Sequence, residues 1–328
     1  MGVMGITPKA RRILKILVSA GLLYFLFTRI SGSAVLERVE HLDRWLAAAV
    51  IFLFALQLAV SSWKWQWALR IHELFLPYGF LTRILVIGFF LNHFLPTSIG
   101  GDAFRIYRTL PESPPKSRAV SAVLLERLVG FAALILLGLI GAIVLYTLSP
   151  LARVYVAFSL AAALVVLGMA ALLRLDLWQP RSRWLLPIRD NLLLIRRARA
   201  EWPPLIGISL LFQMQAILIV YVVFSAIGSA VSPAQVALIT AAAGLAGILP
   251  FAINGLGVVE ATIAGTAVAV GADYESGLLV AILMRILLVP LTLLAGLVYA
   301  FEPARTQVSA MQGSPLEQPC APISTNRK

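Results

Sequence analysis

Cysteine is almost absent from this chain. The only one in 328 residues is Cys320, in a polar tail, so no internal disulfide can form. Histidine is nearly as scarce. His41, His72 and His93 are scattered, and no cysteine cluster supplies a metal-ligand spacing, so no metal or cofactor is expected. Charge is scarce too: 13% of residues are charged and 60% are hydrophobic. The chain has no Gly-x-Ser-x-Gly elbow, His-Glu-x-x-His pair or phosphate-binding loop, and no catalytic residue is assigned. The net charge of +12 comes without an interleaved basic–aromatic platform for bases, so no nucleic-acid partner is expected.

What is present is long apolar sequence. Several runs reach the ~20 helical residues that cross a bilayer, which makes the chain an integral membrane protein. The first run, Ile13 to Phe27, follows Lys9, Arg11 and Arg12. The Ser31-Gly32-Ser33-Ala34 behind it would suit a signal peptide, but Arg29 and the polytopic remainder favour a retained helix. A second helix is expected from Trp45 to Ser62. Trp63-Lys64-Trp65-Gln66-Trp67 then suits a headgroup-level anchor, with a ligand cage of three Trp as the alternative, and residues 68–83 suit an interfacial connector. Further helices are expected at 117–148, 151–173, 203–227 and 276–301. Residues 174–201, with Arg174, Arg181, Arg183, Arg189, Arg196, Arg197 and Arg199, form the main hydrophilic loop.

Two apolar stretches are broken. In Asn92-His93-Phe94-Leu95-Pro96-Thr97-Ser98-Ile99-Gly100-Gly101-Asp102-Ala103-Phe104-Arg105, the run from Ile84 to Leu95 is too short to cross. A weaker copy reads Leu249-Pro250-Phe251-Ala252-Ile253-Asn254-Gly255-Leu256-Gly257-Val258-Val259-Glu260, within an element spanning about Ser232 to Gly271. Proline removes an amide donor and glycine permits sharp turns. In lipid, such breaks persist only against protein or a water-filled cavity. Basic residues flank the first element at both ends, which places both ends in the cytoplasm. Asp273 and Glu275 follow the second, which reads as external. Two full crossings at 233–250 and 256–271 are the alternative.

The expected fold is therefore an all-α polytopic membrane protein, with six transmembrane helices plus two re-entrant broken hairpins arranged as an inverted repeat. One membrane domain covers 1–302, with halves of about 10–148 and 150–302, and 303–328 is a disordered cytoplasmic tail. Both termini lie in the cytoplasm. Of the 27 Lys and Arg, only Arg29, Arg38, Arg44 and Arg153 then fall outside, and Arg127 and Arg285 fall within the membrane. At ~1.5 Å per residue those two arginines lie ~13–15 Å deep from opposite faces.

The candidate substrate-binding residues cluster at the breaks: Asn92, Pro96, Gly100, Gly101, Asp102, Arg105, Glu126, Arg127, Pro250, Asn254, Gly255, Gly257, Glu260 and Arg285. A charge at mid-bilayer is costly and marks function by default. The planar fork of arginine suits a phosphate. Ion pairs are the competing reading: Arg127 with Asp102 or Glu126, and Arg285 with Glu260. The glycine turns could hold an anion at a helix start, or they could serve packing, as Gly244, Gly247 and Gly265 would. Asn92 and Asn254 could satisfy freed backbone groups or a ligand, and Arg105 could lie at the cytoplasmic interface. His93 could shuttle protons, although a structural role is the better reading.

The combination of Asn92…Leu95-Pro96…Gly100-Gly101-Asp102…Arg105, Glu126-Arg127-Leu128, Leu249-Pro250…Gly255-Leu256-Gly257-Val258…Glu260 and Arg285 resembles the lysylphosphatidylglycerol synthase transmembrane family over roughly residues 10–302. The second motif departs from the family's turn by having Ile253-Asn254-Gly255. The resemblance implies a flippase-like domain in a bacterial inner membrane, with a membrane lipid as its ligand. Fused to a soluble aminoacyl-transferase domain, it is associated with moving the lipid product between leaflets. Nothing after residue 302 reads as that enzyme, so lysyltransferase activity is not carried over. Members also occur beside hopanoid and glycolipid biosynthesis genes, so polyprenyl- or hopanoid-type lipids stand beside anionic phospholipids as substrates. The competing functions are a membrane enzyme working through Asp102 and Glu126, and a partner subunit whose 174–201 loop docks a cytoplasmic lipid-synthesis enzyme.

Overall fold

The computed structural model describes residues 44–94, 100–110, 116–160, 163, 186–248 and 255–301, and all regular structure among them is helical. The elements are α1 (Arg44–Ile71), α2 (Tyr78–Phe94), α3 (Gly100–Thr109), α4 (Ser117–Val144), α5 (Pro150–Leu160), α6 (Leu186–Arg197), α7 (Trp202–Ala226), α8 (Pro233–Ala246), α9 (Val258–Ala269) and α10 (Tyr274–Ala300). Four of them, α1, α4, α7 and α10, are long and apolar enough to cross a membrane. The expected helix at 13–27, its loop and the 303–328 tail lie outside the described residues. The 151–173 helix is described only in its first part.

Several boundaries follow from local chemistry. Proline at the start of α7 and α8 costs no helical hydrogen bond, because the first-turn amides are unpaired anyway. Ser232 and Gln235 close a capping box at α8: Gln235 N donates to Ser232 Oγ (3.3 Å) and Ser232 N to Gln235 Oε1 (2.7 Å). Asp273 Oδ1 accepts from Ser276 N (2.6 Å) and starts α10.

Three expectations need correcting. α1 does not end at Ser62; it continues through the tryptophan-rich stretch to Ile71. Nothing in Trp63–Trp67 breaks a helix, and the side chains divide by face. Trp63 is exposed, whereas Lys64 and Trp65 are buried. The aromatic anchor is thus partly core, and the true connector is only residues 72–77. Likewise α2 begins at Tyr78, directly after Pro77, and its 17 residues span about 25 Å, still short of the ~30 Å hydrocarbon core. Finally, the hydrophilic loop contains α6, which packs on α4 and is fastened to α7 by Trp202 Nε1 donating to Ile195 O (3.0 Å).

Both broken elements fold back on themselves. α3 lies along α2, and α9 along α8. Gln235 Nε2 reaches across the second pair to Val270 O (2.6 Å), near their shared open end. The long helices α1 and α7 cross antiparallel at the centre. Trp67, Ala68 and Ile71 meet Trp202 and Leu205 near one end, while Val50 and Phe54 share a core with Ile219 and Val223 near the other. Gln215 Nε2 donates to Leu53 O (2.9 Å) between them.

The short helices also pack crosswise on the long ones: α2 on α10, and α8 on α4. Small residues permit both approaches. Gly296 lies against the Phe90 ring, and Gly138 and Gly141 lie against Ala241 and Ala234. Replacing α1–α4 by α7–α10 in order leaves the closely packed pairs among these eight helices unchanged.

Candidate functional site

The first hairpin gathers five charged side chains from three helices. Lys64 comes from α1, Asp102 and Arg105 from α3, and Glu126 and Arg127 from α4. Glu126 is the hub. Its Oε1 pairs with Lys64 Nζ at 2.9 Å, and its Oε2 accepts from Arg105 Nη2 at 2.6 Å. Arg105 Nη1 also meets Asp102 Oδ1 at 3.4 Å, and Arg127 Nη2 pairs with Asp102 Oδ2. Three cations face two carboxylates, so the cluster carries one positive charge in excess. Breaking a buried pair costs about 3–5 kcal/mol, which makes such a cluster expensive to disturb.

The cluster grades from dry to wet. The Lys64 and Glu126 side chains are 6% and 5% exposed, whereas Arg127 is 42% exposed. Arg105 is buried with its guanidinium 4.2 Å over the Trp65 ring, and its Nε has no hydrogen-bond partner. A cavity of about 250 Å³ opens beside this edge. Gln57, Ser61, Asn92, Asp102, Arg105 and Arg127 supply its polar lining.

Glycine lets α3 come close enough to build this wall. A Cβ on Gly101 would lie 2.2 Å from Gly88 O, and Gly101 N donates to Asn92 Oδ1 at 2.7 Å. Asn92 therefore satisfies a backbone donor freed by the break, the structural one of its two expected roles. Gly130 has a similar effect on α4, where its missing side chain leaves room for Lys64 Nζ.

The second hairpin has a smaller polar centre. Glu260 Oε2 accepts from Gly257 N at 2.7 Å, and Oε1 accepts from Arg285 Nε at 2.7 Å. Gly255 and Gly257 take positive φ, 68° and 83°, which side-chain-bearing residues rarely adopt. A cavity of about 390 Å³ lies near this hairpin and is almost wholly apolar, with Gln57, Gln213 and Thr240 among its few polar lining residues.

The structure thus joins Asn92, Gly101, Asp102, Arg105, Glu126 and Arg127 in one site, and Gly257, Glu260 and Arg285 in another. The ion-pair reading holds for both arginines, with Asp102 as the partner of Arg127. Arg105 is buried inside the cluster. The amides of Gly101 and Gly257 are occupied by Asn92 and Glu260, so they are not open anion donors. Gly244 is a packing glycine, tight against Leu134, but a Cβ on Gly265 would meet nothing within 4 Å. Pro96, Pro250 and Asn254 lie outside the described residues, as does the His93 side chain. Among the described residues, no three His, Cys, Asp or Glu are grouped to hold a metal ion.

Lys64 is the member of the cluster that sequence reasoning missed. Its three Trp neighbours suggested a headgroup anchor. The available signal was the polar stripe Gln57, Ser61 and Lys64, which falls on one face of an otherwise apolar helix.

Residues 12–296 match the family model described as lysylphosphatidylglycerol synthase TM region. No curated protein matches the chain. The chain belongs to this family: it is a multi-pass membrane protein, linked by family to lipid metabolism or transport.

Proposed function

We propose, on the premise of that membership, that the protein moves an anionic phospholipid, or a polyprenyl- or hopanoid-type lipid, between the leaflets of a bacterial inner membrane. One observation carries this reading: a buried cluster with one surplus positive charge borders a cavity among membrane-spanning helices and presents half-exposed Arg127 to it. A phosphate entering there can take the arginine forks from Asp102 and complete the charge balance. The two-fold packing pattern, with α1 and α7 antiparallel at its centre, supports the inverted repeat of six crossings and two re-entrant hairpins. Both termini are then cytoplasmic.

The test is lipid scrambling in reconstituted vesicles. Wild type moves labelled lipid, and Arg127→Ala combined with Arg285→Ala loses that movement; equal rates would sink the proposal. A partner-subunit reading has its own support, since α6 carries exposed Arg197 beside exposed Arg199. Pull-down of a cytoplasmic lipid-synthesis enzyme with and without residues 174–201 separates that reading from transport.

A further inference from the structure

The charged cavity and the apolar cavity share three lining residues: Phe54 and Gln57 of α1, and Phe212 of α7. These side chains are the wall common to both spaces. They sit where α1 and α7 cross, at the centre of the two-fold packing pattern. Phe54 is 6% exposed and set in the main core, so it is fixed. Phe212 is only partly buried and can turn.

A charge holds Phe212 in place. Lys64 Nζ lies 4.6 Å from the centre of its ring, and the same ammonium pairs with Glu126 Oε1 at 2.9 Å. An ammonium over an aromatic face is attracted by the ring quadrupole, more strongly when desolvated, and Lys64 is 5% exposed. Its resting place is shaped by α4. Gly130 leaves room for Nζ, and Gln213, next to Phe212, ties α7 to α4 by donating to Gly130 O (3.0 Å). The wall and the charged cluster therefore share one group, Lys64.

We infer that Phe212 is a movable partition between the two cavities and that Lys64 is the positioning residue that keeps it closed. An anion arriving at Arg105 and Arg127 competes with Glu126 for Arg105. Glu126 then relies more heavily on Lys64 and draws the ammonium off the ring, so Phe212 is released when the charged cavity fills. This deepens the transport proposal and rests on it for its purpose, but the partition is testable without any lipid moving.

The experiment uses full-length protein with Cys320→Ser, so that an introduced thiol is the only one present. Ser61→Cys reports on the charged cavity and Thr240→Cys on the apolar one. Thr240 Oγ1 is buried without a hydrogen-bond partner, so the exchange removes no bond. Labelling rates are measured with an uncharged, water-soluble methanethiosulfonate in detergent, and folding is checked by thermal midpoint. With the partition closed, Thr240→Cys should label at least about tenfold more slowly than Ser61→Cys, the ratio set by a minor open state of about 0.1–10%. Phe212→Ala should bring the two rates together, and Lys64→Gln should raise the Thr240→Cys rate with the Phe212 ring still present. Equal rates in the parent overturn the inference, and so does a Thr240→Cys rate that neither substitution changes. If Phe212→Ala does not fold, Lys64→Gln decides alone. A partition that behaves as described, in a protein that scrambles no lipid, would remove the transport proposal and leave the partition standing.

Discussion

At the first hairpin a short helix brings an arginine to a glutamate on the next long helix; at the second it brings a glutamate to an arginine. Arg105 reaches Glu126, and Glu260 reaches Arg285. Both sites satisfy a glycine amide at the turn with a side-chain oxygen, from Asn92 in one and from Glu260 in the other. The backbone problem of a broken helix is thus solved twice in the same way. The charge balance differs. The second site pairs Glu260 with Arg285, whereas the first gathers Lys64, Asp102, Arg105, Glu126 and Arg127, three cations against two carboxylates. The shared part belongs to the fold. The surplus is where the sites part, and it is where the proposed anion would complete the charge balance.

That contrast is sharpest in the two carboxylates. Glu126→Ala strands Lys64 in a dry interior, leaves Arg105 only its longer contact to Asp102, and should cost about 3–5 kcal/mol. Glu260→Ala frees the Gly257 amide and removes one partner of an arginine already 30% exposed, and about 1–3 kcal/mol is the expected cost. Thermal unfolding in detergent compares them, and equal losses would show the two sites to be energetically alike. Glycine gives a second, smaller contrast. Gly101→Ala drives a methyl into Gly88 O and should cost about 1–3 kcal/mol. Gly265→Ala meets open space and should be neutral, or stabilising by up to about 1 kcal/mol through helix propensity.

A third contrast is in pH response. His72, between α1 and α4, donates from Nδ1 to Ala68 O and accepts at Nε2 from Ser121, each at 2.8 Å. Burial holds its pKa below the ordinary 6.5, and nearby Arg118 adds to this against the Ala68 hydrogen bond. The unfolded chain therefore takes up the proton first, and stability falls as pH drops below 6.5. The second half has no histidine. The acid-induced loss should be the smallest of these effects, and a pH series of thermal midpoints should flatten in His72→Gln.

Much of this architecture was legible in the sequence, because helix ends carry their own chemistry. Ser117, Pro203-Pro204, Ser232 and Ser276 mark starts within a residue or two of those observed, and the short helices on either side of each break pack together, α2 on α3 and α8 on α9. The Glu260–Arg285 pair was legible because few other charges are near. The first cluster was not legible in full, for a physical reason. Adjacent residues on a helix point about 100° apart, so Glu126 turns inward to Lys64 while Arg127 turns towards Asp102. Spacing alone leaves either acid open as the partner of Arg127. Lys64 was hidden because tryptophan beside lysine suits an interface as well as a core, and only the neighbouring helices decide between them.

The crossed packing of the two halves has a mechanical consequence. α8 of the second hairpin leans on α4, which carries Arg127, and α2 of the first leans on α10, which carries Arg285. Each hairpin thus rests on the lever that holds the opposite arginine. The packing therefore offers one route from each hairpin to the far arginine: a single helix, α4 in one direction and α10 in the other.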